Sequence, residues 1–303
     1  MCTRSRLLLW IGVAAGYSQE RPMLASGRLV LDRDTQYQRL QVLDTLSRDR
    51  RPMRVMAMGW EEYHSAMFLD IPAALALPYA RYFRLGPGFR PHPRRALVLG
   101  GGAFSYPRDL LRYSPETMVD VVELDPGVTR VAREYFGLRD DPRLTIYHED
   151  GRSFINRDGP AYDTVFLDVF WGRTIPFHLA TLEAARRIRA RLSADGVLAV
   201  NVISAIDGPA GQFLRAEYAT LRRVFPQVLV FPVLYPDDGT RVQNVILVAS
   251  RSSTPLGPPE GHAILYWGHL WRNPIVEDLP PLTDDLAPVE QYTDRQFSAE
   301  EPH

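Results

Sequence analysis

The chain has 303 residues, 46% hydrophobic and 23% charged, which is typical of a folded protein with one large or two modest domains. Its 35 lysine and arginine residues balance 36 aspartate and glutamate residues to a net charge of −1, which excludes the strong overall field of a nucleic-acid or membrane-surface binder. Because all 35 are arginine and only one cysteine is present, the sequence also excludes lysine Schiff-base chemistry, a phosphate-binding lysine and an intramolecular disulfide.

The first segment of the chain, residues 1–27, carries Arg4 and Arg6 before an apolar stretch at residues 7–15. This stretch is shorter than the roughly 20 residues that a helix needs to span a bilayer, so we predict no stable membrane span. We expect an unstructured start and a cytoplasmic protein. The pattern is also compatible with a signal peptide, so export or membrane association through residues 1–18 stays open as the alternative.

Residues 28–90 are predicted to form a small domain of β-strands and helices. Alternation of hydrophobic and polar residues predicts two or three short antiparallel strands, at residues 28–32, 37–43 and 53–58. Residues 60–68 and 73–85 have helical spacing, and a proline-rich linker follows them. The predicted order is therefore a β-meander, two helices and then the main domain.

The main domain, predicted at residues 91–250, begins with an apolar run at residues 95–99 that indicates a strand buried on both faces. Three glycines, Gly100, Gly101 and Gly102, follow it directly. Glycine lets the backbone turn sharply and approach a ligand closely, and the next helix begins with unpaired N–H groups. The loop therefore predicts a nucleotide or nucleoside site, although a tight turn without a ligand would use the same residues.

Carboxylates follow the next three predicted strands. Glu123 comes about 20 residues after the glycines, at the place where adenosyl and dinucleotide folds bind ribose hydroxyls. Asp150 and Asp168 follow the strands at residues 144–148 and 162–167. Because parallel strands deliver their carboxyl ends to one edge of a sheet, we expect the three carboxylates to lie together. Each of them singly could also cap the helix that follows its strand.

In the rest of the main domain, the hydrophobic pattern predicts further alternation of helices and strands. The helices are predicted at residues 179–192 and 211–224, and the strands at residues 197–203, 227–233 and 244–249. The tight turn at residues 236–239 makes the last two strands antiparallel. We therefore predict an α/β fold with a Rossmann-like seven-stranded sheet of the S-adenosylmethionine-dependent transferase type, an antiparallel last strand and a small β domain before it. Residues 251–303 form a C-terminal extension, in which Asp284 and Asp285 lie in a solvated turn or, alternatively, in a lid.

These elements and motifs together resemble the spermidine synthase (polyamine aminopropyltransferase) family, in particular its divergent spermidine-synthase-like branch. The resemblance covers nearly everything between residues 28 and 249, and its motifs follow the family's order: Tyr63-His64, ALVLGGG at 96–102, VVELDP at 121–126, EDGRSF at 149–154 and FLDVF at 166–170. It implies S-adenosylmethionine or its decarboxylated form as co-substrate, a small-molecule amine as acceptor, and a homodimer. No His, Cys and carboxylate cluster has metal-ligand spacing, so we predict no metal, and we predict no nucleic-acid partner.

The resemblance also implies roles for individual residues. Asp168 would take the proton of the attacking amine, because an ammonium has no lone pair for the reaction. Glu123 would accept hydrogen bonds from the ribose hydroxyls, and Asp150 from the adenine amino group. The other implied contacts are Gly100, Gly101, Gly102, Gly151 and Gln38 with the donor, and Tyr63, His64, Phe170 and Trp171 with the acceptor or the donor tail.

Three departures from the family pattern leave the reaction open. Ala103 stands where the family has an aspartate that binds the donor's aminopropyl ammonium, Ser65 replaces a glutamate, and Trp171 replaces a second acceptor-binding aspartate. We therefore expect weak selectivity between S-adenosylmethionine and its decarboxylated form, unless Glu61 or Glu62 supplies the missing charge, and we do not expect putrescine to be the best acceptor. The alternatives are an S-adenosylmethionine-dependent methyltransferase on the same fold and a non-catalytic nucleoside-binding module.

Overall fold

A computed structural model of the protein describes residues 27–58, 63–170 and 175–298. The described part begins with four antiparallel strands that follow each other in chain order in one sheet, which we call the leading sheet. They are β1 (Arg28–Asp34), β2 (Arg39–Leu46), β3 (Pro52–Met58) and β4 (Tyr63–Phe68). The three predicted strands correspond to β1, β2 and β3. The predictions for residues 1–26 lie outside the described residues.

The helix predicted at residues 60–68 was wrong, because residues 63–68 form β4. This strand pairs with β3 from Met53↔Phe68 to Ala57↔Tyr63, and five of its six residues are buried. A short apolar run that is buried on both faces shows no alternation, so its spacing does not distinguish a strand from a helix.

The single helix predicted at residues 73–85 was also wrong. The structure has two short helices here, α1 (Pro78–Tyr82) and α2 (Leu85–Phe89). Leu77 has an extended backbone, with φ −81° and ψ 129°, which is the conformation that a residue before proline favours. Leu75 forms a β-bridge with β4, so the chain runs along the leading sheet before it enters α1.

The main sheet has seven strands in the order β10-β11-β9-β8-β5-β6-β7, which confirms the predicted fold class. The strands are β5 (Arg95–Leu99), β6 (Met118–Val122), β7 (Leu144–Tyr147), β8 (Tyr162–Leu167), β9 (Leu192–Ser204), β10 (Gln227–Pro232) and β11 (Gln243–Ser250). The last strand, β11, is antiparallel to both of its neighbours, and the other pairings are parallel. The strand order reverses between β5 and β8, and ligands of such sheets bind outside the carboxyl ends at this point.

Helices cover both faces of the main sheet. They are α3 (Ser105–Tyr113), α4 (Pro126–Tyr135), α5 (Gly151–Asn156), α6 (Leu182–Arg191), α7 (Gln212–Val224) and α8 (Val289–Ser298). Leu97 and Leu99 of β5 pack into the apolar cluster under α6 and α7, whereas Ala96 and Val98 pack into the cluster under α1 and α3. The predicted helices at residues 179–192 and 211–224 correspond to α6 and α7. Within the described residues, no helix combines the length and apolar character needed to cross a membrane.

The chain after β11 returns over the main sheet. A 3₁₀ helix (Gly261–His269) packs against α2, and α8 packs against α7. Asp284, predicted to lie in a solvated turn, accepts hydrogen bonds from Arg152 at 2.9 and 2.6 Å and from Thr181 at 2.6 Å. Its side chain is 42% exposed, so the turn is only partly solvated and it fastens the tail to α5 and to the start of α6.

Candidate functional site

The glycine loop ends β5 at the point where the strand order reverses. Gly100 has a φ of +94°, and a Cβ there would lie 2.2 Å from the carbonyl oxygen of Asp168. Gly102 has a φ of +49°, and a Cβ there would lie 2.6 Å from Oγ of Ser65. Both positions therefore need glycine, and the loop holds the end of β5 against the end of β8 and against β4.

The carboxylate of Glu123, directly after β6, is held by backbone N–H groups. One oxygen accepts from Gly101 at 2.9 Å and from Gly102 at 3.3 Å, and the other accepts from Asp125 at 2.9 Å. Burial raises the pKa of Glu123, and these three hydrogen bonds act in the opposite direction. The side chain is only 9% exposed, so its oxygens have one fixed position at the edge of the sheet.

Asp150 follows β7 and caps α5. Its Oδ1 accepts from the N–H of Ser153 at 2.8 Å, and Nε2 of His178 lies 3.2 Å from its Oδ2. Partial burial raises the pKa of Asp150, but the Ser153 N–H and His178 together outweigh burial, so the pKa is lowered. Asp150 is therefore both a helix cap, as the alternative interpretation held, and a carboxylate at the same edge as Glu123.

Asp168 follows β8 and is held by side chains. Its Oδ1 accepts from Nδ2 of Asn201 at 2.9 Å, and its Oδ2 accepts from the hydroxyl of Tyr79 at 3.1 Å. Nδ2 of Asn244 donates in turn to Oδ1 of Asn201 at 2.9 Å. Burial raises the pKa of Asp168 to about 6, against the hydrogen bonds from Asn201 and Tyr79. Such a carboxylate is mostly ionised at neutral pH and is able to take up a proton.

The sequence analysis missed the three side chains that hold Asp168, of which Tyr79 and Asn201 contact it directly and Asn244 acts through Asn201. Asn201 interrupts the apolar run of β9, and a single polar residue in a buried strand is a signal that could have found it, because buried polar groups need partners. Tyr79 and Asn244 lie in α1 and β11 without any pattern that marks them. Tyr79 contacts Asp168, and Asn244 contacts Asn201, because the fold brings distant segments together.

The turn between β1 and β2 is fastened to the same edge of the main sheet. Oγ1 of Thr35 donates to Oδ2 of Asp125 at 2.6 Å, and Asp125 caps α4 through the N–H of Gly127 at 2.7 Å. Oγ1 of Thr35 also lies 2.7 Å from the carbonyl oxygen of Gln38 and accepts from the N–H of Gln38 at 3.0 Å. The predicted donor contact Gln38 is therefore carried to the edge of the main sheet by this turn.

These groups line one cavity of about 860 Å³. Its volume lies in the upper part of the range of about 300–1,000 Å³ that small-molecule pockets occupy. The predicted site residues in the described part of the chain all line it, namely Gln38, Tyr63, His64, Gly100, Gly101, Gly102, Glu123, Asp150, Gly151, Asp168 and Phe170. Trp171, Glu61 and Glu62 lie outside the described residues.

Ala103 is not among the residues that line this cavity, and the weak selectivity between the two donors stays a prediction. Its side chain is 1% exposed and packs in an apolar cluster with Leu40, Val42 and Val131. Its N–H donates to Oγ of Ser65 at 3.0 Å. The Cβ of Ala103 therefore points behind the glycine loop, and Ser65, which stands in place of the family's glutamate, anchors this loop to β4.

The carboxylates do not gather into a metal-binding group. Across residues 27–58, 63–170 and 175–298, no three His, Cys, Asp or Glu side chains come together as a metal ion would require. The absence of a metal stays a prediction of the sequence analysis.

Residues 83–229 match the family model of the spermine/spermidine synthase domain. A polyamine aminopropyltransferase of Vibrio vulnificus is 35% identical over 168 residues, which are 54% of this chain and 54% of that protein. An N-terminal histidine N-methyltransferase of Emericella nidulans is 31% identical over 190 residues, which are 60% of this chain and 30% of that protein. The chain thus spans about half of the first relative's length and about a third of the second's.

Comparison with a solved structure supports the match to the family model. The probable spermidine synthase of Corynebacterium glutamicum is 26% identical, and the alignment covers 73% of this chain and 79% of that chain with a TM-score of 0.62. The resemblance that was predicted from the motifs is therefore confirmed, and so is the fold.

Proposed function

The chain carries a spermine/spermidine synthase domain at residues 83–229, and on this premise we propose that it is a transferase that moves an aminopropyl group from decarboxylated S-adenosylmethionine to an amine. The observation that carries the proposal is the position of Glu123 and Asp168. They follow β6 and β8, the two neighbours of β5, and they face one cavity. This arrangement supports a ribose contact for Glu123 and a proton-accepting role for Asp168.

The part of the cavity around Gly101, Glu123 and Asp150, which we call the donor end, fits an adenosyl group. The oxygen of Glu123 that accepts only from Asp125 retains acceptor capacity, because a carboxylate offers about four lone-pair sites and the backbone hydrogen bonds use three of them. Asp150 uses Oδ1 for its helix cap and retains Oδ2, beside His178, for an adenine amino group. Glycines at the floor of this end let a ligand approach the backbone.

The part around Asp168, Tyr79 and Asn201, which we call the acceptor end, supports proton removal from an amine. When bound, the donor supplies a carbon beside a sulfonium, where the amine lone pair forms a C–N bond while the C–S bond breaks and its electron pair stays on sulfur. Asp168 accepts the proton that the amine nitrogen loses. Tyr79 and Asn201 hold one oxygen each, so the carboxylate faces the acceptor in one orientation.

Calorimetric titration with methylthioadenosine tests the donor end. Glu123→Ala is expected to weaken binding by about 1.5–3 kcal/mol, because it removes hydrogen bonds to a charged acceptor. Glu123→Gln, which retains the shape that supports the glycine loop, separates this loss from a local collapse. Glu116→Ala, an exposed glutamate outside the cavity, is the matched control. Equal affinity of the wild type and both Glu123 variants would contradict the donor assignment.

Turnover of Asp168→Asn tests the acceptor end. The amide is nearly isosteric with the carboxylate but takes up no proton, so aminopropyl transfer should be abolished while methylthioadenosine affinity stays nearly unchanged. Product formation is followed by mass spectrometry of the amine. A fully active Asp168→Asn protein would show that another group takes the proton.

Methyl transfer from S-adenosylmethionine is the second candidate. The relative from Emericella nidulans, named an N-terminal histidine N-methyltransferase, favours it. An acidic residue at the donor tail would repel the carboxylate of S-adenosylmethionine, and the aspartate that the family has in the glycine loop is absent from this chain. Titration of the two donors discriminates, since tighter binding of S-adenosylmethionine favours methyl transfer. Binding of either donor without any product would identify a nucleoside-binding module.

A further inference from the structure

Besides the acceptor end, the cavity extends into a region with apolar walls, which we call the apolar lobe. One wall is a face of the leading sheet, and the other is the extended chain before α1. The wall residues are Met53, Val55, Phe68, Leu75, Ala76 and Leu77. Met53, Val55 and Phe68 are buried and pack in one cluster with Leu77, so the lobe is part of the packed structure.

Tyr79 joins the apolar lobe to the acceptor end. Its hydroxyl donates to Asp168 at 3.1 Å, and its ring lines the cavity two residues after Leu77. The ring is supported by an edge contact with Phe83, with the centroids 6.1 Å apart. Leu77, Tyr79 and Asp168 therefore line one continuous cavity, which can hold the nitrogen of a molecule at Asp168 and its body against the apolar wall.

The charged side chains that the described residues place along the apolar lobe lie at its outer rim. They are Arg48 and Asp49, in the turn between β2 and β3, and Arg81 in α1, and all three are exposed. The walls themselves carry no carboxylate among the described residues. Because burying an ammonium without an anionic partner is costly, the lobe disfavours the second ammonium of a diamine.

We propose that the acceptor has a single basic nitrogen and an apolar alkyl or aryl body that lies in the apolar lobe. The inference rests on the proposed function, because it takes Asp168 as the group that faces the amine nitrogen. Apolar burial increases affinity by about fourfold for each methylene. The body of the acceptor, and not a second charge, therefore sets the affinity.

A series of amines tests the inference. Calorimetry is done on the protein with and without saturating methylthioadenosine, using butylamine, hexylamine and 1,4-diaminobutane. We expect hexylamine, with two more methylenes, to bind about fifteenfold more tightly than butylamine, and 1,4-diaminobutane to bind most weakly. Tighter binding of 1,4-diaminobutane than of hexylamine, or no binding of any amine, would overturn the inference. Failure of methylthioadenosine to bind while this order holds would overturn the proposed function and support the lobe.

Substitutions at Leu77 show whether the lobe is the place of discrimination. Leu77→Glu puts a carboxylate in the wall and should shift the preference about tenfold toward 1,4-diaminobutane, since a hydrogen bond to a charged group is gained. Leu77→Gln, with the same shape and no charge, should weaken hexylamine without favouring the diamine. Leu69→Glu, at a half-buried leucine outside the cavity, should leave the order unchanged. Thermal unfolding checks each variant, and the wild-type series decides if Leu77→Glu does not fold.

Discussion

The donor end and the acceptor end hold their carboxylates in different ways. At the donor end, backbone N–H groups hold Glu123, and the N–H of Ser153 donates to Asp150, whose other oxygen lies beside His178. At the acceptor end, the side chains of Tyr79 and Asn201 hold Asp168. A backbone donor follows from the path of the main chain, whereas a side-chain donor depends on the residue at its position. Single substitutions at the acceptor end should therefore change the hydrogen bonds to Asp168 one at a time. Substitutions at the donor end should instead disturb the main chain that holds Glu123.

The largest effect is expected from a charge placed behind the donor end. Ala103→Asp would bury an unpaired carboxylate beside Leu40 and Val131, which should cost about 3–5 kcal/mol of unfolding free energy. Urea unfolding measures this cost. Ser105→Asp, which lines the cavity in the first turn of α3, is the matched control, and it should change stability by less than about 1 kcal/mol. Equal stability of both variants would show that residue 103 faces the ligand after all.

A smaller loss is expected where the two ends touch. In Gly100→Ala, the new Cβ would lie 2.2 Å from the carbonyl oxygen of Asp168 at a φ of +94°, so the free energy of unfolding should fall by about 2–4 kcal/mol. Methylthioadenosine binding and turnover should both decline, since β5 and β8 are forced apart. Gly268→Ala is the control, because its Cβ would meet no atom within 4 Å and the residue lies outside the cavity. If Gly100→Ala binds methylthioadenosine like Gly268→Ala, the two ends are not coupled through this loop.

The same contrast explains what the sequence predicts well. The donor end is made of residues that follow consecutive strands of one sheet, so the glycines, Glu123 and Asp150 are placed by local motifs and by the rule for parallel strands. Even there, the sequence analysis did not anticipate that Ala103 packs behind the glycine loop. Its Cβ direction depends on the fit between the glycine loop and the leading sheet, and a motif does not encode that fit.

The acceptor end and the leading sheet are harder to predict, because they depend on contacts between distant residues. Tyr79 lies 89 positions before Asp168, and Asn201 lies 33 positions after it. The strand β4 was predicted as a helix because both of its faces are buried, and Leu77 is extended only because Pro78 follows it. Tertiary packing decides each of these features, and spacing along the chain carries little trace of it.

The pH dependence of turnover tests how the acceptor end is tuned. Since the pKa of Asp168 is raised to about 6, kcat/KM should fall below about pH 6 as the carboxylate becomes protonated. Tyr79→Phe removes a hydrogen bond that lowers this pKa, so the acid limb should move up by about one pH unit. The pH profile of methylthioadenosine affinity should not move. An unchanged acid limb in Tyr79→Phe would show that Asp168 is not the titrating group.

The free energy of unfolding should also depend on the protonation of Asp168, but it should fall with rising pH, whereas turnover should rise. The pKa of Asp168 in the folded protein is raised above the ordinary 3.8. The stability that protonated Asp168 contributes is therefore fully present below about pH 4 and is lost as pH rises through about 6. Glu217, buried in α7 with its pKa raised to about 8 by burial, extends the loss from about pH 4.5 to about 8. Asp168→Asn should therefore remove only the earlier part of the decline in urea-unfolding free energy, and Glu217→Gln the remainder. A decline that survives in the double variant would point to other groups.

The smallest effect on the pH dependence of turnover is expected at Asn244, which is linked to Asp168 only through Asn201. Asn244 donates to Oδ1 of Asn201 and so keeps its Nδ2 toward Asp168. Without Asn244 the bond to the carboxylate still favours this orientation, so Asn244→Ala should raise the acid limb by only roughly 0.3 pH unit, or about 0.4 kcal/mol. Asn201→Ala removes the donor itself and should raise it by about one unit. Because Asn244 acts through Asn201, Asn244→Ala should add nothing in the Asn201→Ala background. An additive shift would mean that Asn244 acts on the acceptor directly, and the acceptor end would then have a third side chain in contact with the substrate.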